Sequence, residues 1–286
     1  MKPISKSWLC QIDVTNVCGK GCVYCSRHDR HIRQDQRYSM SLTDFKKALL
    51  SVKEFPGNIG IIGGEPLYHP QFEELCLIIQ DVFSKKEIKR VKLWTSAVSL
   101  YEKKYKKIIG ESFGNIASFN VHDNGQREVC KHQPITMAIG EVVAPGEYRD
   151  KLISDCWVQK IWCPTITNKG AFFCEVAGAL DTIIDGPGGY PVERGWWKRT
   201  PEQFQDQVER YCHLCGMPVP VERQLLKDEI EKVSPKLLKL FKEKNLPHTN
   251  SMELFDRQLS IADMEKAKLT WDPGNFRGDI QGDRVE

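Results

Sequence analysis

Apolar and polar positions follow two periods through the first half of the chain. The run Trp8-Leu-Cys-Gln-Ile-Asp-Val14 predicts a strand. Behind it, Leu42, Phe45, Leu49 and Val52 recur at helical spacing. They follow Ser41-Leu-Thr-Asp44, a capping box with Asp in place of Glu. Residues 58–62 read as a short apolar strand, and Phe72, Leu75, Cys76, Ile79, Val82 and Phe83 mark the next helix. Residues 91–95 read as a strand, 101–110 as a lysine-rich helix, and 116–121 and 135–143 as two more strands. Strands alternating with helices predict βα units and a parallel sheet. Ligands of such sheets gather at the carboxyl ends of the strands. Four polar or unusual stretches fall at those ends: a cysteine loop after residue 14, Gly63-Gly64-Glu65-Pro66, Thr95-Ser96 and Asn120-Val-His122.

Around residue 150 the pattern changes. From Cys156 to Cys215 the chain is rich in Cys, Gly, Pro and Trp and poor in helical periods, so its fold needs a staple. After 221 it turns helical and charged over 222–232 and 235–244, and its last fifteen or so residues read as a loose tail. The expected division is 1–150, 151–220 and 221–286.

Composition narrows the function classes. The 286 residues are 41% apolar and 28% charged, ordinary for a globular protein with a sizeable core. A net charge of +3 without a dense basic run gives no reason to expect nucleic-acid binding. Residues 1–8 lack the apolar core of a signal peptide, and no stretch approaches the ~20 apolar residues of a membrane span. A cytoplasmic protein is expected. Eleven cysteines are many for a reducing compartment, where clustered thiols more often bind metal or do chemistry.

Seven of them form two groups. The first is Cys18-Gly-Lys-Gly-Cys22-Val-Tyr-Cys25. Glycines let so short a loop curl and aim three sulfurs at one point. Three thiolates suit three corners of a cubane iron–sulfur cluster and leave the fourth iron open. Structural zinc wants four ligands, usually as two pairs, and fits this triplet poorly.

A CX3CX2C loop after the first strand, Tyr24 before its last cysteine and Gly63-Gly64-Glu65-Pro66 after the second strand resemble the radical S-adenosylmethionine (radical SAM) superfamily, over about 1–150. The resemblance implies a [4Fe–4S] cluster on Cys18, Cys22 and Cys25, with S-adenosylmethionine chelating the open iron. Reductive cleavage would give a 5′-deoxyadenosyl radical that abstracts hydrogen from substrate, the cofactor carrying the difficult chemistry. It assigns Gly63, Gly64, Glu65 and Pro66 to the methionine amino group. A bare backbone approaches a ligand closely, and a carboxylate can accept from an ammonium. Thr95, Ser96 and Asn120 become candidates for ribose or carboxylate contacts, although the family often has Thr-Asn-Gly where this chain has Thr95-Ser96-Ala97.

The second group is Cys163 and Cys174, flanking a hairpin-like Asn168-Lys-Gly170, with Cys212-His-Leu-Cys215 at a helix end. Two thiol pairs make a closed four-ligand site, and a four-thiolate zinc centre uses the same pairing. Radical SAM enzymes with a short C-terminal twitch module place an auxiliary [4Fe–4S] cluster on such a hairpin plus CxxC. The longer SPASM version carries more cysteines, so the resemblance implies one auxiliary cluster. Cys156 has three readings: a buried small apolar residue, a hydrogen-atom donor to a substrate radical, or an alternate cluster ligand. Cys130 raises the same question, and Cys10 and Cys76 read as core. Gly186-Pro-Gly-Gly-Tyr-Pro191 and Gly195-Trp-Trp-Lys-Arg199 read as a loop packed by its tryptophans, as a substrate wall, or as both.

The expected architecture is a partial (β/α)6 parallel barrel, then a twitch-like module, then a helical extension. The expected activity is oxidation or epimerisation of a carbohydrate-like or nucleotide-linked small molecule, with flavodoxin or ferredoxin as electron donor. Twitch-bearing enzymes of similar size include one that oxidises an aminocyclitol alcohol and one that rearranges a guanine nucleotide. A ribosomal-peptide maturase is the alternative within the class, and a zinc-binding interaction module is the alternative outside it.

Overall fold

In the computed structural model of the chain, residues 1–114, 117–119, 131–161, 164–225 and 229–269 are described. Asn120-Val-His122, Cys130, Cys163 and the expected tail fall outside them. The sheet is built from β1 (Leu9–Asp13), β2 (Asn58–Ile62), β3 (Val91–Thr95) and β4 (Ala117–Phe119). Beyond the two-residue β5 (Lys131–His132), it is completed by β6 (Thr165–Thr167) and β7 (Gly170–Phe172). Its order is β4-β3-β2-β1-β6-β7. β1 to β4 and β6 run parallel, and β7 returns antiparallel. The register sets Cys10 beside Ile59 and Gln11 beside Thr165. All five residues of β1 are buried, as expected of a parallel strand covered on both faces.

The helices that cover the sheet follow from local sequence. Ser41 Oγ accepts from the Asp44 amide at 3.1 Å and donates to its carboxylate at 2.7 Å, so Leu42–Val52 starts on a capped turn. That helix buries Phe45, Ala48, Leu49 and Val52; it packs on Phe72–Val82, which buries Phe72, Leu75, Cys76, Ile79 and Val82. The expected hairpin forms between β6 and β7 and lies beside β1 in the main sheet. Residues 151–220 therefore extend the same sheet. Glu175–Ile183 follows, with all nine residues buried.

Two expected elements differ. Residues 135–143 form a turn and a short helix, Ile139–Val142. The amide of Ile139 bonds Cys215 O at 3.1 Å, and that of Gly216 bonds Ile135 O at 2.7 Å. This apolar run is buried against the 212–216 turn, and short apolar runs do not by themselves separate strand from helix. The helix expected over 222–232 is absent among the described residues. β8 (Gln224–Leu225) pairs with β5, and β9 (Glu231–Val233) pairs with β10 (Met252–Leu254). The lysine-rich helix contains a π turn, Tyr101–Tyr105, before Lys106–Ser112.

Trp196 and Trp197 are core rather than an open wall. Trp197 Nε1 donates to Ser51 O at 3.1 Å, and its ring meets Phe55 edge-on at 5.7 Å. No helix among the described residues is long and apolar enough to cross a membrane.

Candidate metal and cofactor site

The cysteine loop leaves β1 and is pinned at once. Thr15 Oγ1 donates to Tyr38 O at 2.7 Å, and Asn16 exchanges bonds with Gln36 O and the Tyr38 amide at 2.9 and 2.8 Å. Of its two glycines only Gly21 has φ > 0, at 56°, and open space surrounds it. Tyr24 and His28 take the same left-handed conformation at 53°, which non-glycine residues rarely do.

The thiols of Cys18, Cys22 and Cys25 are half-buried neighbours. Burial pushes the Cys18 thiol up to about 12, with Asp29 adding to the rise. Burial also raises Cys25 well above the ordinary range, helped by Asp29 and Cys22. Asp29 Oδ2 lies 3.7 Å from Cys25 Sγ, while its buried Oδ1 has no protein partner. The backbone amide of Lys20 points at Cys18 Sγ at 3.5 Å. Soft sulfur donors that resist ionisation without a cation suit a positively charged metal group, and amide hydrogen bonds to ligating sulfur are part of such sites. The three thiols fit an iron–sulfur cluster by donor type and number. Among the described residues no group of three His, Cys, Asp or Glu side chains is closed to metal-binding geometry.

The turn after β2 lies directly beneath the loop. An added Cβ at Gly63 would stand 2.1 Å from Thr15 O, and one at Gly64 would stand 2.5 Å from Val17 O and 2.9 Å from Cys18 Cβ. The amides of Gly64 and Glu65 bond Thr15 O and Val17 O at 2.7 and 2.8 Å. Both glycines are therefore required by the passing loop backbone as well as offering a bare surface to a ligand. Pro66 opens a short 3-10 turn and is buried.

Glu65 is 1% exposed. Its carboxylate accepts from Thr95 Oγ1 at 2.5 Å, from the Ser96 amide and hydroxyl at 2.8 and 3.0 Å, and from the Leu67 amide at 3.1 Å. Four donors fill the usual acceptor sites of a carboxylate. Glu65, Thr95 and Ser96 are thus brought together, and they bond one another. Tyr24 is 2% exposed, and its hydroxyl accepts from the Lys232 amide at 2.6 Å. A small cavity of about 20 Å³, room for about one water, lies between the loop and the turn, against Asp13, Asn16, Asp29, Gly63, Gly64 and Tyr38.

The second thiol set gathers around another cavity. Cys156, Cys174, Cys212 and Cys215 line it together with Phe173, Tyr211 and Met217, and its lining is apolar. Burial raises the Cys212 thiol well above its ordinary value, and Cys174, Cys156 and Cys215 add to the shift. Cys215 is raised in the same way, by burial and then by Cys156, while its sulfur accepts from the Met217 amide at 3.3 Å. Cys163, the remaining member of the expected set, lies outside the described residues. Four sulfur donors lining one apolar pocket match a four-thiolate metal centre in donor type and number, while their side chains do not close to metal-binding geometry.

Sequence spacing missed the polar cluster that links the two sets. Arg27 reaches Asp13 at 2.7 Å and Glu175 at 3.0 Å and also donates to Gln11 Oε1. Gln11 Nε2 closes the ring onto Glu175 at 2.6 Å. Asp13 is raised to about 6, by burial first, with Arg27 opposing and Glu175 reinforcing. These residues come from β1, the loop and the helix after Cys174. Only the polar Gln11 and Asp13 inside an otherwise apolar strand hinted at them.

Residues 12–132 match the family described as the Radical SAM superfamily. Over those residues the chain is similar to a superfamily whose members are enzymes that use a [4Fe–4S] cluster and S-adenosylmethionine. Among solved structures, the chain is similar to BtrN in complex with AdoMet and 2-DOIA. The identity is 14% and the TM-score 0.41, over 74% of this chain and 88% of that one. No curated protein matches the chain.

Proposed function

We propose that this chain is a radical SAM enzyme that oxidises a small, hydroxyl-bearing substrate, and that it holds two iron–sulfur clusters. The observation that carries the reading is the convergence at one sheet rim of the Cys18–Cys22–Cys25 loop, the Gly63-Gly64-Glu65-Pro66 turn and Thr95-Ser96, within the residues similar to the Radical SAM superfamily. Cys18, Cys22 and Cys25 would hold the first cluster, and Cys156, Cys174, Cys212 and Cys215 the second. S-adenosylmethionine at the first would supply a hydrogen-abstracting radical, and the second would supply an electron acceptor.

The protein's own groups then have defined tasks. Gly63 and Gly64 present backbone to the methionine end of the cofactor. Glu65, saturated by Thr95, Ser96 and Leu67, fixes the shape of that surface. Assigning Cys156 to the second centre removes the first candidate for a hydrogen donor, which favours oxidation over epimerisation. The proposed electron donor is a protein such as flavodoxin or ferredoxin.

Anaerobic reconstitution tests the assignment. The wild-type chain should take up about eight irons. Replacing Cys18, Cys22 and Cys25 by Ala should remove about four, and Cys156→Ala should disrupt the other centre. Zinc in the second centre would remove the electron acceptor. No iron in the wild type would sink the whole reading. With candidate polyols in deuterated water, the product should have lost two hydrogens, whereas an isomeric product carrying deuterium would mean epimerisation.

A further inference from the structure

The cysteine loop is gripped from behind by a segment far away in the chain. Glu231 opens β9 and is 2% exposed. Its Oε1 accepts from the backbone amide of Tyr24 at 2.5 Å, across 207 positions of sequence. Its Oε2 meets His31 Nε2 at 2.6 Å, and Arg30 stands 3.8 Å from Oε1. The other ring nitrogen of His31 faces Pro247 O at 3.0 Å. Each ring nitrogen of His31 thus faces an acceptor, the Glu231 carboxylate on one side and the Pro247 carbonyl on the other. The next residue after Glu231 adds a second tie, the Lys232 amide donating to Tyr24 Oη at 2.6 Å. A third comes from His132, whose Nδ1 lies 2.9 Å from Val23 O.

Val23 and Tyr24 are the two residues between Cys22 and Cys25. Tyr24 holds φ at 53°. Side chains with a Cβ keep that conformation only where the surroundings over-determine it. Here the surroundings are Glu231 and Lys232. The direction of the backbone at Tyr24 sets where the sulfurs on either side point.

We propose that Glu231 is a positioning residue for the cysteine loop: it latches Tyr24 in the left-handed conformation and so aims the thiols of Cys22 and Cys25. Part of its test rests on the reading of those thiols as cluster ligands, and part does not. On this account the C-terminal segment 229–254 is a structural member of the radical-initiating centre. A buried carboxylate bonded to a backbone amide on one oxygen and to an imidazole on the other leaves no slack for the loop to relax.

Glu231→Gln and Tyr24→Phe in the full chain test the latch. The first replaces an oxygen facing His31 or Tyr24 by an amino group; the second removes only the acceptor for Lys232. In the metal-free protein, amide exchange over 22–31 should rise by about tenfold in Glu231→Gln and by less in Tyr24→Phe, with the helix Leu42–Val52 unchanged. After anaerobic reconstitution, the midpoint potential and the paramagnetic signature of the loop-bound cluster should both move in Glu231→Gln. Exchange that rises while potential and signature stay fixed would reduce Glu231 to a packing residue and overturn the proposal. Unchanged exchange in both variants would overturn it as well. If the wild-type loop takes no iron, the proposed function falls while the exchange data still decide the latch. If Glu231→Gln does not fold, Glu231→Asp, which keeps the charge and shortens the reach to the Tyr24 amide, decides on the same two readouts.

Discussion

A single methyl group at position 63 tests the geometry beneath the cysteine loop. The Cβ of Gly63→Ala would sit 2.1 Å from Thr15 O, a backbone atom that no rotamer change moves aside. That oxygen also accepts the Gly64 amide at 2.7 Å, so relief of the clash must stretch the bond joining turn to loop. Overpacking of this kind costs about 1–3 kcal/mol. Gly110→Ala is the control: it lies in Lys106–Ser112 with nothing near its Cβ and ordinary φ, and it should stabilise by about 0.5–1 kcal/mol. Urea denaturation of the metal-free variants reads both signs, and an unchanged midpoint for Gly63→Ala would refute the close passage. The motif was plain in the sequence at this scale, but half of its physics was not. Two adjacent glycines announce a close approach without naming what approaches. Cys156 shows the same limit: spacing left it three readings, and the fold sets it in one cavity with Cys174, Cys212 and Cys215.

Between elements, Asp185 joins three that sequence alone keeps apart. It follows the helix Glu175–Ile183. It accepts from Arg33 Nη2 at 2.8 Å and Gln36 Nε2 at 2.9 Å, on the far side of the cysteine loop, and pairs with Lys244 at 3.3 Å beyond the helix Pro235–Glu243. The Arg33 hydrogen bond first, with Gln36 and Lys244 adding, depresses its carboxyl to about 2. A depressed folded pKa means the ionised form is the stabilising one. Its contribution is complete above the unfolded carboxylate pKa of about 4 and is lost as pH falls through about 2. With the carboxylate 44% exposed, solvent screening holds that contribution to under about 1 kcal/mol. The stability gap between the wild type and Asp185→Asn should therefore be constant above about pH 5 and narrow toward pH 2. A gap that widened on acidification would reverse the assignment. Elements with a cap and a clear period, 42–52 and 72–82, were legible because both signals are local. Residues 135–143 and 222–232 were not, because each is shaped by partners that follow or precede it by about eighty residues or more, such as the Cys215 carbonyl on Ile139 and Tyr24 on Glu231.

Across the whole molecule the two thiol sets share one buried charge cluster, and Arg27 is its only cation among the described residues. Arg27 comes two residues after Cys25, and its partner Glu175 comes one residue after Cys174. Asp13 and Gln11 lie on β1, beside β6 of the hairpin. The loop that begins the chemistry and the hairpin that carries the second set are thus keyed to each other through a guanidinium 2.7 Å from Asp13 and 3.0 Å from Glu175. Removing one partner of a buried ionic cluster is costly, because the charges left behind have neither water nor a counter-ion. Arg27→Met should destabilise the fold by about 3–5 kcal/mol. It should also do what no single cysteine variant does, which is to impair iron retention at both centres at once. Arg27→Lys keeps the charge but loses the planar fork that reaches Asp13, Gln11 and Glu175 together, so it should recover part of the stability. Denaturant titration gives the stability, and iron quantification beside the triple loop variant and Cys156→Ala gives the coupling. If Arg27→Met kept a full second centre at wild-type stability, the two sets would be independent sites on a common sheet. Joint loss would mean that this sheet edge carries one redox unit, assembled around a charge cluster to which the loop, the first strand and the helix after the hairpin each contribute.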